Sequence, residues 1–176
     1  NEPLLDSVVR SYGNHRWPVD VGQSGATPSV VRLLVPPASM SESTDNGPVL
    51  ADIGNAGEGG GAFQMYADSI VLNGRIDMSG NRALLRSGIG NAGGGGSGGS
   101  ILIVATNVAG KGWLVSNGGD GTVEQGGGGG GGRVAVHYTG TNVFRGNVTT
   151  FGGIGKAHGQ IKYTNGGAGT IYWNGT

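Results

Sequence analysis

Gly93-Gly-Gly-Gly-Ser-Gly-Gly-Ser-Ile-Leu-Ile-Val-Ala105 joins a glycine cluster directly to a short apolar run, and the same junction recurs along the chain. Gly59–Gly61 precedes Phe63-Gln-Met-Tyr-Ala67, Gly126–Gly132 precedes Val134-Ala-Val-His-Tyr138, and Gly166-Gly-Ala-Gly169 precedes Ile171-Tyr-Trp173. The four apolar runs start 38, 33 and 37 residues apart. Behind each of the first three lies a second short run that follows a glycine: Arg75-Ile-Asp-Met-Ser79, Trp113-Leu-Val-Ser116 and Asn147-Val-Thr-Thr-Phe151. Apolar residues sit in the connectors between them, at Ile70-Val71-Leu72, Val108 and Val143-Phe144. Matched features at a regular period identify a repeat.

The runs are short and rich in Val and Ile, as strands are. A glycine inside a helix costs about 0.5–1 kcal/mol relative to Ala, so a seven-glycine run such as Gly126–Gly132 is not helical. One repeat offers too few inward apolar side chains, at about 1.5–3 kcal/mol each, to offset about 1–2 kcal/mol of backbone entropy per residue. Stacking the repeats at a strand spacing of about 4.8 Å satisfies their edges and makes a continuous core. The fold expected is all-β: a glycine-rich parallel β-helix, or solenoid, of three to four coils, right-handed. A flatter glycine sandwich and an antiparallel roll are the alternatives the pattern leaves. Two uses are expected of the glycines: positive φ at corners, and close backbone approach in polyglycine-II-like rows of about three residues per turn.

Composition divides the chain. All six prolines lie at or before Pro48, and of 41 glycines only Gly13, Gly22, Gly25 and Gly47 fall in the first 50 residues. Residues 1–48 are expected to form an irregular lead-in that wraps the rest, with one strand candidate at Ser29–Val35 stopped by Pro36-Pro37. Tyr12 and Trp17 are expected to pin it. Residues 49–176 form the repeat region, and both ends read as cuts in a longer polypeptide.

Lys plus Arg and Asp plus Glu number 11 each, and only 12% of residues are charged. That balance points to neither nucleic acid nor an anionic membrane as a partner. No apolar stretch approaches the roughly 18 residues of a membrane span. Cys is absent, which removes disulfides and thiolate zinc sites from this segment.

The succession GGGGSGGSILIVA, GKGWLVSNGGDG, GGGGGGGRVAVHY and GGAGTIYW resembles glycine-rich β-solenoid repeats of very large secreted or cell-surface proteins of algae, protists and bacteria. Tyr12-Gly-Asn-His-Arg-Trp-Pro-Val-Asp-Val-Gly22 is similar to the lead-in of such repeats. The resemblance covers most of residues 12–173 and implies an extracellular or cell-surface location, with roles in scaffolding, appendages and adhesion. Glycine-rich tail-tip adhesins of phages, packed as polyglycine sandwiches, are a second and poorer likeness.

Parallel β-helices also host polysaccharide-cleaving enzymes, which need carboxylates converging on one face. Here Asp68 falls opposite Thr106 or Asn107, and Asp77 falls opposite Val115 and Thr149, so no acidic column forms. His15, His137 and His158 are scattered, and the glycine clusters precede strands rather than helix N-termini, which argues against phosphate binding. No catalytic residue, cofactor or metal is expected.

Trp113, Tyr138, Tyr172 and Trp173 are the candidate binding or interface residues, because sugars and protein partners both favour exposed aromatics. Packing on the solenoid flank or on the lead-in is their plainer use. Asn147-Val-Thr149 and Asn174-Gly-Thr176 are glycosylation sequons. The function expected is a non-catalytic structural block of an extracellular filament, appendage or matrix, whose partners are copies of itself or other segments of a larger chain. The alternative is an adhesin for glycans or a receptor. A degraded polysaccharide-active enzyme is a third reading.

Overall fold

The structure is a computed structural model that describes residues 14–25, 56–84, 93–122, 126–156 and 165–176. The strand candidate at 29–35, its Pro-Pro stop and Tyr12 lie outside the described residues. Among those described there are eight strands and no helix. They are β1 (Ala62–Val71), β2 (Arg75–Asp77), β3 (Ser100–Gly110), β4 (Trp113–Val115), β5 (Arg133–Tyr138), β6 (Asn142–Phe144), β7 (Asn147–Thr149) and β8 (Thr170–Gly175). Every pairing is parallel, so the antiparallel roll is ruled out.

One sheet runs β1-β3-β5-β8, with β6 also paired to β3, and the other runs β2-β4-β7. In the first, Phe63, Ile101, Val134 and Ile171 stand in one register column, the four positions at which the apolar runs begin. In the second, Arg75, Trp113 and Asn147 align. Ile101, Ile103, Val134 and Val136 of the large sheet join Leu114 of the small one in a single buried cluster, with Phe63, Met65, Ile76, Val148 and Trp173 packed around it. Val and Ile suit these positions because their branched side chains fill a pleated, buried surface.

The connectors differ from expectation. β1 and β3 continue through them to Val71 and Gly110, so Ile70 and Val108 are strand residues in the core. In the third repeat the strand is interrupted: Ala105 opposes Tyr138 but Val108 opposes Asn142, leaving one extra residue around Thr139-Gly140 before β6 resumes the ladder. That is a β-bulge in effect.

The glycine clusters form layers of their own. Gly57 and Gly60 donate to the carbonyls of Gly94 and Ser97, Gly95 and Gly98 to those of Gly127 and Gly130, and Gly131 to that of Gly167. Between the first three rows the bond recurs three residues later, the period of a polyglycine-II rod. A second set of bonds zigzags between these rows and the segments after the short strands. Asn81 donates to Glu58, Gly96 to Asn81, Gly119 to Gly96, Gly129 to Gly119, Gly153 to Gly129 and Gly166 to Gly153.

Each row presents three faces. Gly57, Gly60, Gly95, Gly98, Gly128 and Gly131 face the post-strand segments, and a Cβ on any of them would overlap backbone atoms there. Gly96, Gly99, Gly129, Gly132, Gly166 and Gly169 face the preceding row just as closely. The third face looks outward. The expectation of positive φ at corners holds at Gly110 alone among the described glycines, at φ 115°. On the two inward faces the clusters are glycine because backbones pass too close for any side chain.

Candidate functional site

Two features of the outer surface could meet a partner: an aromatic latch over the large sheet and the outward face of the glycine rows.

The latch forms where the lead-in crosses β5 and β8. His137 lies on the face of β5 opposite the core cluster, in register with Val104 and Asn174. Trp17 stacks on its ring at 4.3 Å between centroids, 14° from parallel. His137 Nε2 sits 2.7 Å from the Arg16 carbonyl. A carbonyl only accepts, so Nε2 is the donor, and Nδ1 faces Asn174 Nδ2 at 3.5 Å. Tyr172 receives His15 edge-on at 5.8 Å, and the Arg16 guanidinium carbon stands 5.8 Å from the centre of its ring. Pro18 is fully buried. On this face Leu102 and Ala135, register partners of Tyr172, are also fully buried.

The lead-in continues as an extended segment along the glycine layer. The Asp20 carbonyl accepts from Ser100 Oγ, Gln23 exchanges bonds with Ser97, and Gly22 and Gly25 donate to the Gly60 and Gly57 carbonyls. Rising numbers on one side meet falling numbers on the other, so residues 20–25 run antiparallel to the rows.

The four aromatic candidates do not converge. Tyr172 belongs to the latch. Trp173 points to the opposite face, where its ring lies 6.0 Å from that of Phe144, and Tyr138 packs beside the same core. Trp113 stands on β4 at 43% exposure, between Arg75 and Asn147 in its sheet. Of the sequon residues, Asn147 is exposed on β7 and Asn174 is half-buried at the latch. In the sequence His15 and His137 are simply scattered, and no periodic signal joins either to Tyr172.

Acidic groups are dispersed. Asp68 stands opposite Thr106, between the paired positions Ala67–Ala105 and Ser69–Asn107. Asp77 aligns with Val115 and Thr149. Burial pushes the Asp77 carboxyl upward, but hydrogen bonds from Ser79 and Arg75 outweigh it, and the group lies below its ordinary range. Asp120 accepts from the Ile154 amide at 2.7 Å, a bond between successive repeats. Among the described residues no group of three or more His, Asp or Glu could hold a metal ion. No described helix is long and apolar enough to cross a membrane. Compared with known protein families, curated proteins and solved structures, the chain matches none.

Proposed function

We propose that this chain is a non-catalytic building block of an extracellular filament, appendage or matrix, coiled as a parallel β-solenoid that lengthens by adding coils. The observation that supports this best is the direction of pairing. The large sheet, the small sheet and the glycine rows all add their next member on the same side, in register apart from the extra residue at Thr139-Gly140. The outermost strands β1 and β8 pair on one side only among the described residues. A β8 edge and a β1 edge are therefore complementary, and joining one to the other is a heterologous contact, the kind that produces open fibres.

Electron microscopy of the purified chain across a concentration series tests this. Unbranched filaments with a strand repeat of about 4.8 Å along the axis are expected. Particles that remain single at every concentration, and a native assembly with no repeating polymer, would remove the reading. The adhesin reading rests on Trp113, whose exposure leaves a ring face for a sugar. Glycan binding that disappears in Trp113→Ala would favour it instead.

A further inference from the structure

Among the described residues, the outward face of the glycine rows is covered in one half and open in the other. Counting back three residues from the aligned set Ala62, Ser100, Arg133 and Thr170 places Gly59, Ser97, Gly130 and Gly167 in one outward column. At the first two, residues 20–25 lie over the column. A Cβ on Gly59 would collide with the Gly22 carbonyl, and Ser97 Oγ bonds both the amide and the carbonyl of Gln23. At the second two, the described chain ends its cover. Among the described residues, a Cβ on Gly130 would meet nothing nearer than the Gly167 carbonyl at 4.0 Å, and one on Gly167 would meet nothing within 4 Å.

Beside the covered half lies a groove of about 390 Å³, walled by Gln23 and Ser24 and floored by Gly95, Ser97 and the backbone from Gly129 to Arg133. It continues the interface that residues 20–25 already make. The seated segment also defines what fits: an extended chain without bulk where it crosses the column, bonding through its own backbone. Its contacts recur every third residue, with Gly22 and Gly25 on one row and Asp20 and Gln23 on the next.

We propose that the open face at Gly130 and Gly167 seats a second extended strand, glycine-bearing at every third position and supplied by another polypeptide, alongside residues 20–25. This is a lateral contact. It stands on the hydrogen bonds around residues 20–25 and is independent of end-to-end growth.

The test uses the whole chain and a synthetic Gly-Gln-Ser repeat peptide, with an Ala-Gln-Ser repeat as control. Expected are amide NMR shifts at Gly130 and Gly167 with the glycine peptide alone. Gly130→Ala has room in the fold, so its spectrum should be otherwise unchanged while peptide binding weakens about tenfold or more. The proposal is overturned if those amides do not move, if Gly130→Ala binds like the parent, or if shifts fall only at Gly59 and Ser97, which would mean displacement of residues 20–25. A dimer that Gly130→Ala dissolves while the peptide stays silent would also overturn it, and would make the face a contact between copies.

Discussion

The apolar sheet and the glycine rows solve one problem by opposite means. In the sheet, Ile101, Ile103, Val134 and Val136 are buried at 1% exposure or less, and stability comes from side chains taken out of water. A few residues earlier in the same repeats, Gly95 to Gly99 and Gly128 to Gly132 bury almost no side chain and close the distance until backbone bonds backbone on several sides. Both regions follow a single register, because each row leads straight into its strand. The difference teaches that a methyl group has opposite signs in the two regions: wanted in the sheet, excluded from the rows.

The most direct way to break the comparison is one carbon added to a row. Gly98→Ala places a Cβ against the Ser116 carbonyl and the Gly132 amide, backbone that is itself bonded and cannot retreat. We expect a loss above about 3 kcal/mol, the upper end for overpacked cores, measured by urea denaturation. A loss under about 1 kcal/mol would mean the rows are softer than their geometry implies.

One carbon removed from the sheet is the counterpart. Ile103→Val should cost about 1 kcal/mol in the same assay. A cost equal to that of Gly98→Ala would erase the contrast.

The lead-in sharpens it further, since residues 14–17 are held by rings and 20–25 by backbone. Trp17→Ala removes a stacked ring worth about 0.5–1.5 kcal/mol, and should speed amide exchange at Gly22 and Gly25 while leaving β3 and β5 protected. Unchanged exchange would show that the backbone bonds hold the segment unaided.

Smallest is the effect of acid on Asp77. Its folded carboxyl lies below the ordinary range, so its contribution is present above the unfolded value, about 3.9, and disappears as pH falls through the lower folded value. The ion pair with Arg75 is 54% and 38% exposed at its two side chains, so a few tenths of a kcal/mol is expected. Asp77→Asn should flatten that part of the stability profile below about pH 4 and nothing above it.

Much of the strand framework was legible because each apolar run begins at the same distance from a glycine cluster. The columns Phe63–Ile101–Val134–Ile171 and Arg75–Trp113–Asn147 follow from that alignment alone. β6 was not legible as a strand, since the extra residue at Thr139-Gly140 breaks the spacing and hides the pairing of Val143 with Ala109. The latch was hidden for another reason. Stacking of Trp17 on His137 joins residues 120 positions apart with no periodicity to link them, as the neighbouring Arg16–His137 bond at a separation of 121 shows. The glycines were legible as rows and misread in part: positive φ serves Gly110, whereas the clusters answer to close approach.

The three-faced rows carry a consequence for how such a sequence can change length. Loss of one glycine from Gly126–Gly132 would rotate every later residue of that rod by a third of a turn, swinging Arg133 into a position built for bare backbone and turning the outward column inward. Loss of three would shorten the rod by a full turn and restore all three faces. Insertions and deletions in these runs are therefore governed by remainder rather than by size, as reading frames are in a gene.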